Sequence, residues 1–208
     1  MFSRLERDLG EVGVVLALLL LAKLGKSREP WWRPDYSDKG GRGAGKGSTR
    51  VPVPQGATNL WSEDTMRLFV QQMRVFGLDP EVVLLGIAAA SNFNADEQLG
   101  GYTGLLLVSR EDLSSLGYPG VPTFEELDAP HQIPWIARVI GYRIAASGAA
   151  EPPKSVPELA VLLHKSENPT VTEAIRNEAA RRAKEAAGTM LYLHHKNLLQ
   201  HVLATPQP

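Results

Sequence analysis

The chain has 208 residues, a net charge of −1 and no cysteine. Its length allows one domain of ordinary size with additional segments, because domains usually hold about 100 to 200 residues. The balanced charge excludes a general electrostatic attraction to nucleic acid, which needs a concentrated excess of Lys and Arg, and the lack of cysteine excludes disulfides, thiolate chemistry and cysteine-ligated metal.

The first predicted element is a helix within residues 1–24, built on an apolar run of eleven residues from Val12 to Ala22. The run is short for a membrane-spanning helix, which needs about 20 apolar residues. A secretory signal peptide fits poorly, because acidic residues precede the run and no small-x-small cleavage site follows it. Two interpretations remain open, a short membrane or interfacial anchor and a helix buried against partner subunits. In either case we expect the run to be covered, since an exposed surface this apolar promotes aggregation.

Residues 25–60 are rich in Gly, Pro, Ser and basic residues and have no hydrophobic periodicity, which predicts an extended tether. The stretch Gly40–Gly47 is superficially similar to a phosphate-binding P-loop. However, Gly47 stands where Ser or Thr should hold magnesium, and no predicted strand precedes the stretch. We therefore interpret it as part of the tether and expect no nucleotide or other cofactor.

A mainly α-helical domain is predicted over residues 61–147. Ser62 can cap a helix whose apolar residues recur at three- and four-residue spacing as far as Phe76. Pro80 suits the first position of a second helix, which has almost no polar face. After a polar loop and a Gly-punctuated apolar run, three further helices are predicted: one over residues 110–116, a short one capped by Thr123 and a longer one opened by Pro130.

A second proline-rich linker is predicted over residues 148–158, followed by a helical region over residues 159–208 that is broken at most at Gly188. Near its end, His194 and His201 are seven residues apart and share a helix face, with His195 beside them. A metal site needs two further ligands that converge on these side chains. We therefore interpret the histidines as solvated or helix-end residues and expect no metal.

The stretch from Gly86 to Tyr118, GIAAASNFNADEQLGGYTGLLLVSREDLSSLGY, carries the most specific motifs. Residues 91–94 fit the motif Ser-x-Phe-Asn, and residues 104–106 match the motif Gly-Leu-Met. Residues 116–117 match a third motif, Leu-Gly. In this order the segment resembles the lytic transglycosylase and goose-type lysozyme superfamily. With the later pair Gln132–Ile133 the resemblance covers about 85 residues. It implies a lysozyme-like helical fold with a small β-hairpin.

Two positions depart from the family's pattern where its chemistry would lie. The resemblance places the catalytic glutamate at Ala90 and the hairpin glutamine at Leu107, and both residues are apolar. Glycoside cleavage needs a carboxylic acid that protonates the leaving oxygen, so the family's mechanism is not expected at Ala90. Asp96 and Glu97 lie six and seven residues further on and are the alternative acids. The other interpretation is that they are solvated loop acids.

Four further residues are candidates for glycan binding. Ser91, Asn92, Tyr102 and Thr103 suit the lining of a sugar-binding groove, where amide and aromatic side chains make the contacts. They suit turn and hairpin positions equally well. Both interpretations stay open at the level of sequence.

Three functions follow as expectations from the resemblance. The first is a non-catalytic virion structural protein, a scaffold or weak peptidoglycan binder in the apparatus with which a bacterial virus penetrates its host. Its partners would be other virion proteins and peptidoglycan, with lipid or subunit contact through Val12–Ala22 and no nucleic acid. The second is a membrane-anchored peptidoglycan hydrolase that uses Glu97 or Asp96. The third is a bacterial envelope protein that binds glycan at the membrane or in the periplasm.

Overall fold

The protein is mainly α-helical in a computed structural model, which confirms the predicted class. The structure describes residues 59–99, 101–118, 121–149, 151–164 and 168–205. The predicted helix 1–24 and the tether as far as residue 58 lie outside these ranges. Within them, the elements in chain order are α1 (Glu63–Val75), α2 (Pro80–Ser91), β1 (Gln98–Leu99), β2 (Tyr102–Thr103), β3 (Val108–Ser109), α3 (Arg110–Ser115), a 3₁₀ helix (Val121–Glu126), α4 (Ala129–Ser147), α5 (Val156–Leu163), α6 (Pro169–Ala187) and α7 (Met190–Ala204).

The starts of the helices follow capping signals in the sequence. The side chains of Ser62, Asp79 and Asp128 accept hydrogen bonds from backbone N–H groups in the first turns of α1, α2 and α4. Pro80 occupies the first position of α2, where no backbone N–H is needed. The predicted starts of α1 and α2 are confirmed, whereas α4 begins one residue before Pro130.

The β-structure is a small antiparallel sheet in the order β1-β2-β3. Gln98 lies opposite Thr103, and Tyr102 lies opposite Ser109. The sheet therefore has one strand more than the single hairpin that the resemblance implies. The additional strand, β1, follows directly from the polar loop after α2, because residues 98–99 pair with β2.

One hydrophobic core joins the helices on both sides of the predicted second linker. Helix α1 packs against α4 and α7, while α2 packs against α5, α6 and α7. The buried side chains of this core include Phe69, Met73, Leu84, Ile87, Ile136 and Ile140 from the predicted domain 61–147, and Leu159, Leu163, Leu191, Leu199 and Val202 from the region after it. The C-terminal helices thus belong to the same core, although the sequence predicted a region set apart by a linker.

Helix α5 begins inside the predicted linker 148–158 and crosses α2 closely. Ser155 caps it, and Val156 is its first residue. At the crossing, a Cβ atom on Gly86 of α2 would lie 2.9 Å from Cδ2 of Leu159. Glycine at position 86 therefore permits the close approach of the two helices.

His195 is the clearest departure from the expected solvated histidines. It is completely buried on α7. Its Nε2 atom accepts a hydrogen bond from the backbone N–H of Trp61 at 3.1 Å, and its Nδ1 atom lies 2.8 Å from the carbonyl oxygen of Leu191. Its ring stacks on Phe93 with the ring centroids 4.0 Å apart. This histidine therefore connects the start of the folded region to its last helix, a contact that joins residues 134 positions apart.

Two further properties concern metal and membrane. Within the described ranges, no group of three or more His, Asp or Glu side chains is placed to hold a metal ion. None of the described helices is both long enough and apolar enough to cross a membrane. The apolar run Val12–Ala22 lies outside the described residues.

Candidate functional site

Ser91 ties the end of α2 to the loop between β2 and β3. Its Oγ atom donates a hydrogen bond to the carbonyl oxygen of Leu105 at 2.6 Å. It also lies 3.3 Å from the carbonyl oxygen of Ile87, one turn earlier in α2. Ser91 is only 7% exposed. Its hydroxyl is therefore engaged inside the protein and is not presented to a groove.

Gln132 of α4 is hydrogen-bonded to three neighbouring segments of the chain. It is completely buried, and its Oε1 atom accepts a hydrogen bond from the backbone N–H of Leu105 at 2.9 Å. Its amide nitrogen lies 2.9–3.0 Å from the carbonyl oxygens of Ala95, Phe124 and Leu127. With one carbonyl oxygen and two N–H groups, this side chain bonds to backbone groups of the loop after α2, the loop between β2 and β3 and the segment 124–127.

Glycine is required at position 104, where the loop between β2 and β3 packs against Gln132. Its φ of +80° favours glycine, and a Cβ atom there would lie 2.5 Å from Oε1 of Gln132 and 2.7 Å from a ring carbon of Phe124. Ser91, Gly104 and Gln132 belong to the motifs of the resemblance, which are far apart in the sequence. In the structure all three residues lie at Leu105 or next to it.

Backbone strain is concentrated in the same region. Among the described residues, the non-glycine residues with positive φ are Asn92, Phe93 and Leu107, at 52°, 63° and 49°. Such a conformation costs roughly 1 kcal/mol or more for an L-residue with a Cβ atom. The packing around Phe93, which is 2% exposed, holds the turn after α2 in place.

Glu125 and Thr103 form a polar network beside the sheet. The Glu125 carboxylate accepts hydrogen bonds from Oγ1 of Thr103 at 2.8 Å, from Arg110 at 2.9 Å and from Gln98 at 3.0 Å. Burial alone would raise the pKa of the Glu125 carboxyl, but the hydrogen bonds from its own backbone N–H, Thr103 and Arg110 outweigh that effect and lower the pKa. Glu125 is therefore ionised at neutral pH, and the Thr103 hydroxyl is engaged within the protein.

Ala90 and Leu107 lie on the wall of one apolar cavity of about 80 Å³. Residues of helix α2, the sheet and the two C-terminal helices α5 and α6 line it, and it is partly open to solvent. Most of its lining is small or aliphatic: Gly86, Ala89, Ala90, Leu99, Leu106, Leu107, Val156, Leu159, Ala160, Leu163, Ile175 and Ala179. The two positions at which the resemblance would place polar catalytic groups are thus apolar, and residues of α5 and α6 line the same cavity.

The cavity also has four polar side chains, those of Tyr102, His164, Glu178 and Arg182. The ring of His164 packs edge-to-face on Tyr102, with centroids 4.6 Å apart. Burial, together with the nearby charge of Arg143, lowers the pKa of His164 to about 4. His164 is therefore neutral at neutral pH.

Glu178 is the one carboxyl group among the described residues that line this cavity. Its carboxylate accepts hydrogen bonds from Arg182 at 2.8 Å and from Arg181 at 2.7 and 2.9 Å. Burial would raise the pKa of Glu178, but the two arginines outweigh it and lower the pKa. A carboxylate held in its ionised form by two guanidinium groups is unsuited to protonate a leaving oxygen.

The alternative acids lie elsewhere. Asp96 is exposed and lines a separate, open cleft of about 350 Å³, together with Trp61, Asn94 and Asp128. A hydrogen bond from His131 lowers the pKa of Asp128, so the Asp128 carboxyl is ionised at neutral pH. Neither of these two cavities has Glu97 in its lining.

Glu97 and Asn92 are both engaged by neighbouring loop residues. The Glu97 carboxylate accepts a hydrogen bond from Nδ2 of Asn94 at 3.2 Å. Asn92 forms the left-handed cap of α2, and its carbonyl oxygen accepts a hydrogen bond from Asn59 at 3.4 Å. Of the residues predicted for the site, the fold therefore brings Ala90, Leu107 and Tyr102 to one cavity. It uses the hydroxyl groups of Ser91 and Thr103 and the backbone of Asn92 in internal contacts.

The polar residues of the cavity that come from the C-terminal helices were not predicted. His164 follows the apolar helix α5, and Glu178 and Arg182 are four residues apart on α6, a spacing typical of solvated ion pairs. One signal for a buried His164 is its position directly after an apolar helical segment. The cavity that these three residues line depends on how α5 and α6 pack on α2.

Comparison of the chain with protein-family models, with curated proteins and with solved structures gives no match.

Proposed function

We propose that the chain is a non-catalytic structural protein whose folded region is a lysozyme-like domain, carried by a bacterial virus as part of the apparatus that penetrates the host. The observation that carries the non-catalytic part is the apolar cavity at Ala90 and Leu107, with α5 and α6 as its opposite wall. A glycan strand that approached Ala90 would meet side chains of α5 and α6, and the one carboxyl group in the described lining, that of Glu178, is held in its ionised form.

The lysozyme-like fold is supported by contacts among the motif residues. Ser91 bonds to Leu105, Gln132 bonds to the same residue from the other side, and Gly104 is the residue that fits against Gln132. Residues that match a pattern by chance need not share one hydrogen-bonded network. The same network occurs without a carboxyl group at position 90, which favours a retained framework over a retained reaction.

A muropeptide-release assay on the full-length chain tests the absence of catalysis. We expect no soluble fragments from purified sacculi, while an active lysozyme in the same buffer releases them. Release that is lost in Glu97→Gln or Asp96→Asn, and kept in the matched surface variant Glu111→Gln, would show a relocated acid and refute the proposal.

A co-sedimentation assay with the same sacculi separates a pure scaffold from a peptidoglycan-contacting part. The full-length chain is mixed with sacculi, and the bound fraction is measured against salt concentration. Saturable binding supports contact with the cell wall, as in the alternative of an envelope glycan-binding protein. No binding favours a scaffold that contacts only other virion proteins.

The assembly role is proposed from the apolar run Val12–Ala22, which needs a covering partner. The experiment compares the full-length chain with a variant that carries Leu18→Asp and Leu20→Asp. We expect the wild-type chain to sediment with virus particles and the variant to be lost from them. A wild-type chain that stays monomeric in solution, without particles, lipid or detergent, would contradict the proposed role.

A further inference from the structure

The cavity beside Ala90 is a partly open, mainly apolar pocket between α2, the sheet, α5 and α6. Its volume of about 80 Å³ compares with roughly 10–15 Å³ for a single water molecule on a similar scale. It therefore has room for about five to eight non-hydrogen atoms. The apolar side chains in its lining gain dispersion contacts from an apolar occupant and lose their contact with water, so such an occupant is favoured over solvent.

The shape of the cavity follows from small residues on three helices. Ala89 and Ala90 on α2, Ala160 on α5 and Ala179 on α6 all line it. Longer aliphatic side chains of the same helices, such as Leu159, complete the wall. The space thus lies where small side chains from separate helices converge.

The charges around the cavity specify the charge of its ligand. Glu178 and Arg182 are joined by a hydrogen bond of 2.8 Å, and their side chains are only 15% and 21% exposed. Their charges offset each other, and His164 is neutral at neutral pH because burial disfavours its cation. A charged ligand would lose its hydration without meeting a free counter-charge, which is costly in an apolar site.

From this geometry we propose that the cavity between α2, the sheet, α5 and α6 is a binding site for a small, uncharged, apolar molecule of about seven non-hydrogen atoms. The inference does not depend on the proposed function, because it concerns only the lining of the cavity. It assigns a role to the position of the missing acid: Ala90 leaves room for a ligand that a glutamate at that position would exclude by its charge and size.

The test uses toluene as the probe, with benzoate and benzylammonium as ligands of similar size and opposite charges. Thermal unfolding of the full-length chain is followed with each compound at equal concentration, and methyl NMR shifts of Leu106 and Ile175 report the place of binding. We expect toluene near its solubility limit to raise the unfolding midpoint by about 2 °C or more. Both charged ligands should bind at least about tenfold more weakly.

Ala90→Leu fills the cavity and is expected to abolish the toluene effect, and Ala160→Leu provides a second filling variant from α5. Ala180→Leu, at an exposed position of α6, is the matched control and should keep the full effect. The proposal is overturned if toluene has no effect on the wild-type chain, if benzoate or benzylammonium binds as well as toluene, or if toluene acts equally on a folded filling variant.

Discussion

The buried histidine His195 makes a quantitative prediction about stability and pH. Burial, the largest cause, lowers the pKa of His195 from 6.5 to about 4. In the unfolded chain the imidazole binds a proton as the pH falls through about 6.5, whereas in the folded protein it stays neutral until about pH 4. Between these values the unfolded state binds more protons, so the free energy of unfolding decreases as the pH falls.

The size of this effect follows from the difference between the two pKa values. At about 1.4 kcal/mol for each pH unit, a pKa lowered from 6.5 to about 4 corresponds to about 3 kcal/mol. This contribution is fully present above pH 6.5 and is lost as the pH falls toward 4. The structural reason is that a protonated Nε2 of His195 can no longer accept the hydrogen bond from the Trp61 backbone N–H.

The assay compares the wild-type chain with His195→Phe by urea unfolding at pH 7.5 and pH 4. Phenylalanine keeps the stacking on Phe93 but leaves the Trp61 N–H without its acceptor, so we expect a loss of about 1–3 kcal/mol at pH 7.5. Between pH 7.5 and pH 4 the wild-type chain loses the contribution of His195, whereas the variant lacks this contribution at both pH values. At pH 4 the variant should therefore be at least as stable as the wild-type chain. Other groups titrate in both proteins and cancel in the difference.

His201→Phe is the control, because His201 is an exposed residue of the same helix. It should change the free energy of unfolding by no more than about 0.5 kcal/mol at pH 7.5. If the wild type and His195→Phe differed by the same amount at pH 7.5 and at pH 4, His195 would not be a buried neutral residue in the folded protein. The connection that we describe between α7 and the start of the folded region would then be wrong.

Three further substitutions test the framework around the cavity. Gln132→Leu removes the hydrogen bonds to the backbone of Leu105, Ala95 and Leu127 and should cost about 3–5 kcal/mol by urea unfolding, whereas Gln71→Leu on the surface should cost little. Gly104→Ala should cost about 2–4 kcal/mol, because position 104 has a positive φ and the added Cβ atom would collide with Gln132. Equal stability of Gly104→Ala and Gly101→Ala would contradict this expectation. Asp112→Asn weakens the partly buried ion pair between Asp112 of α3 and Arg143 of α4 and should cost about 1–2 kcal/mol in the same assay. No loss would mean that this pair adds no stability.

Local signals explain why much of the helical structure could be predicted. The caps at Ser62 and Asp79 and the apolar spacing of α1 act within one or two turns of helix, so they are visible in a short stretch of sequence. The break at Gly188 is also found, between α6 and α7. Boundaries were less accurate where the signal was weak, as at α5, which begins within a proline-rich segment.

The candidate site was predicted only in part. Ala90, Leu107 and Tyr102 were identified from the motif, and they do line one cavity. Ser91 and Thr103 have polar side chains that suit a groove, but whether a hydroxyl faces solvent or a buried carbonyl depends on segments 14 and 22 residues away. No local pattern contains that information.

By itself, the sequence determined the helical class, several helix starts and the lack of a carboxyl group at position 90, because each depends on residue type and short-range spacing. The tertiary structure alone decided that α5 and α6 cover Ala90 and Leu107, that His195 is buried against Trp61, and that one glutamine, Gln132, joins three segments. These are contacts between residues far apart in the chain. They arise from how the helices bury their apolar faces together, which is a property of the whole fold.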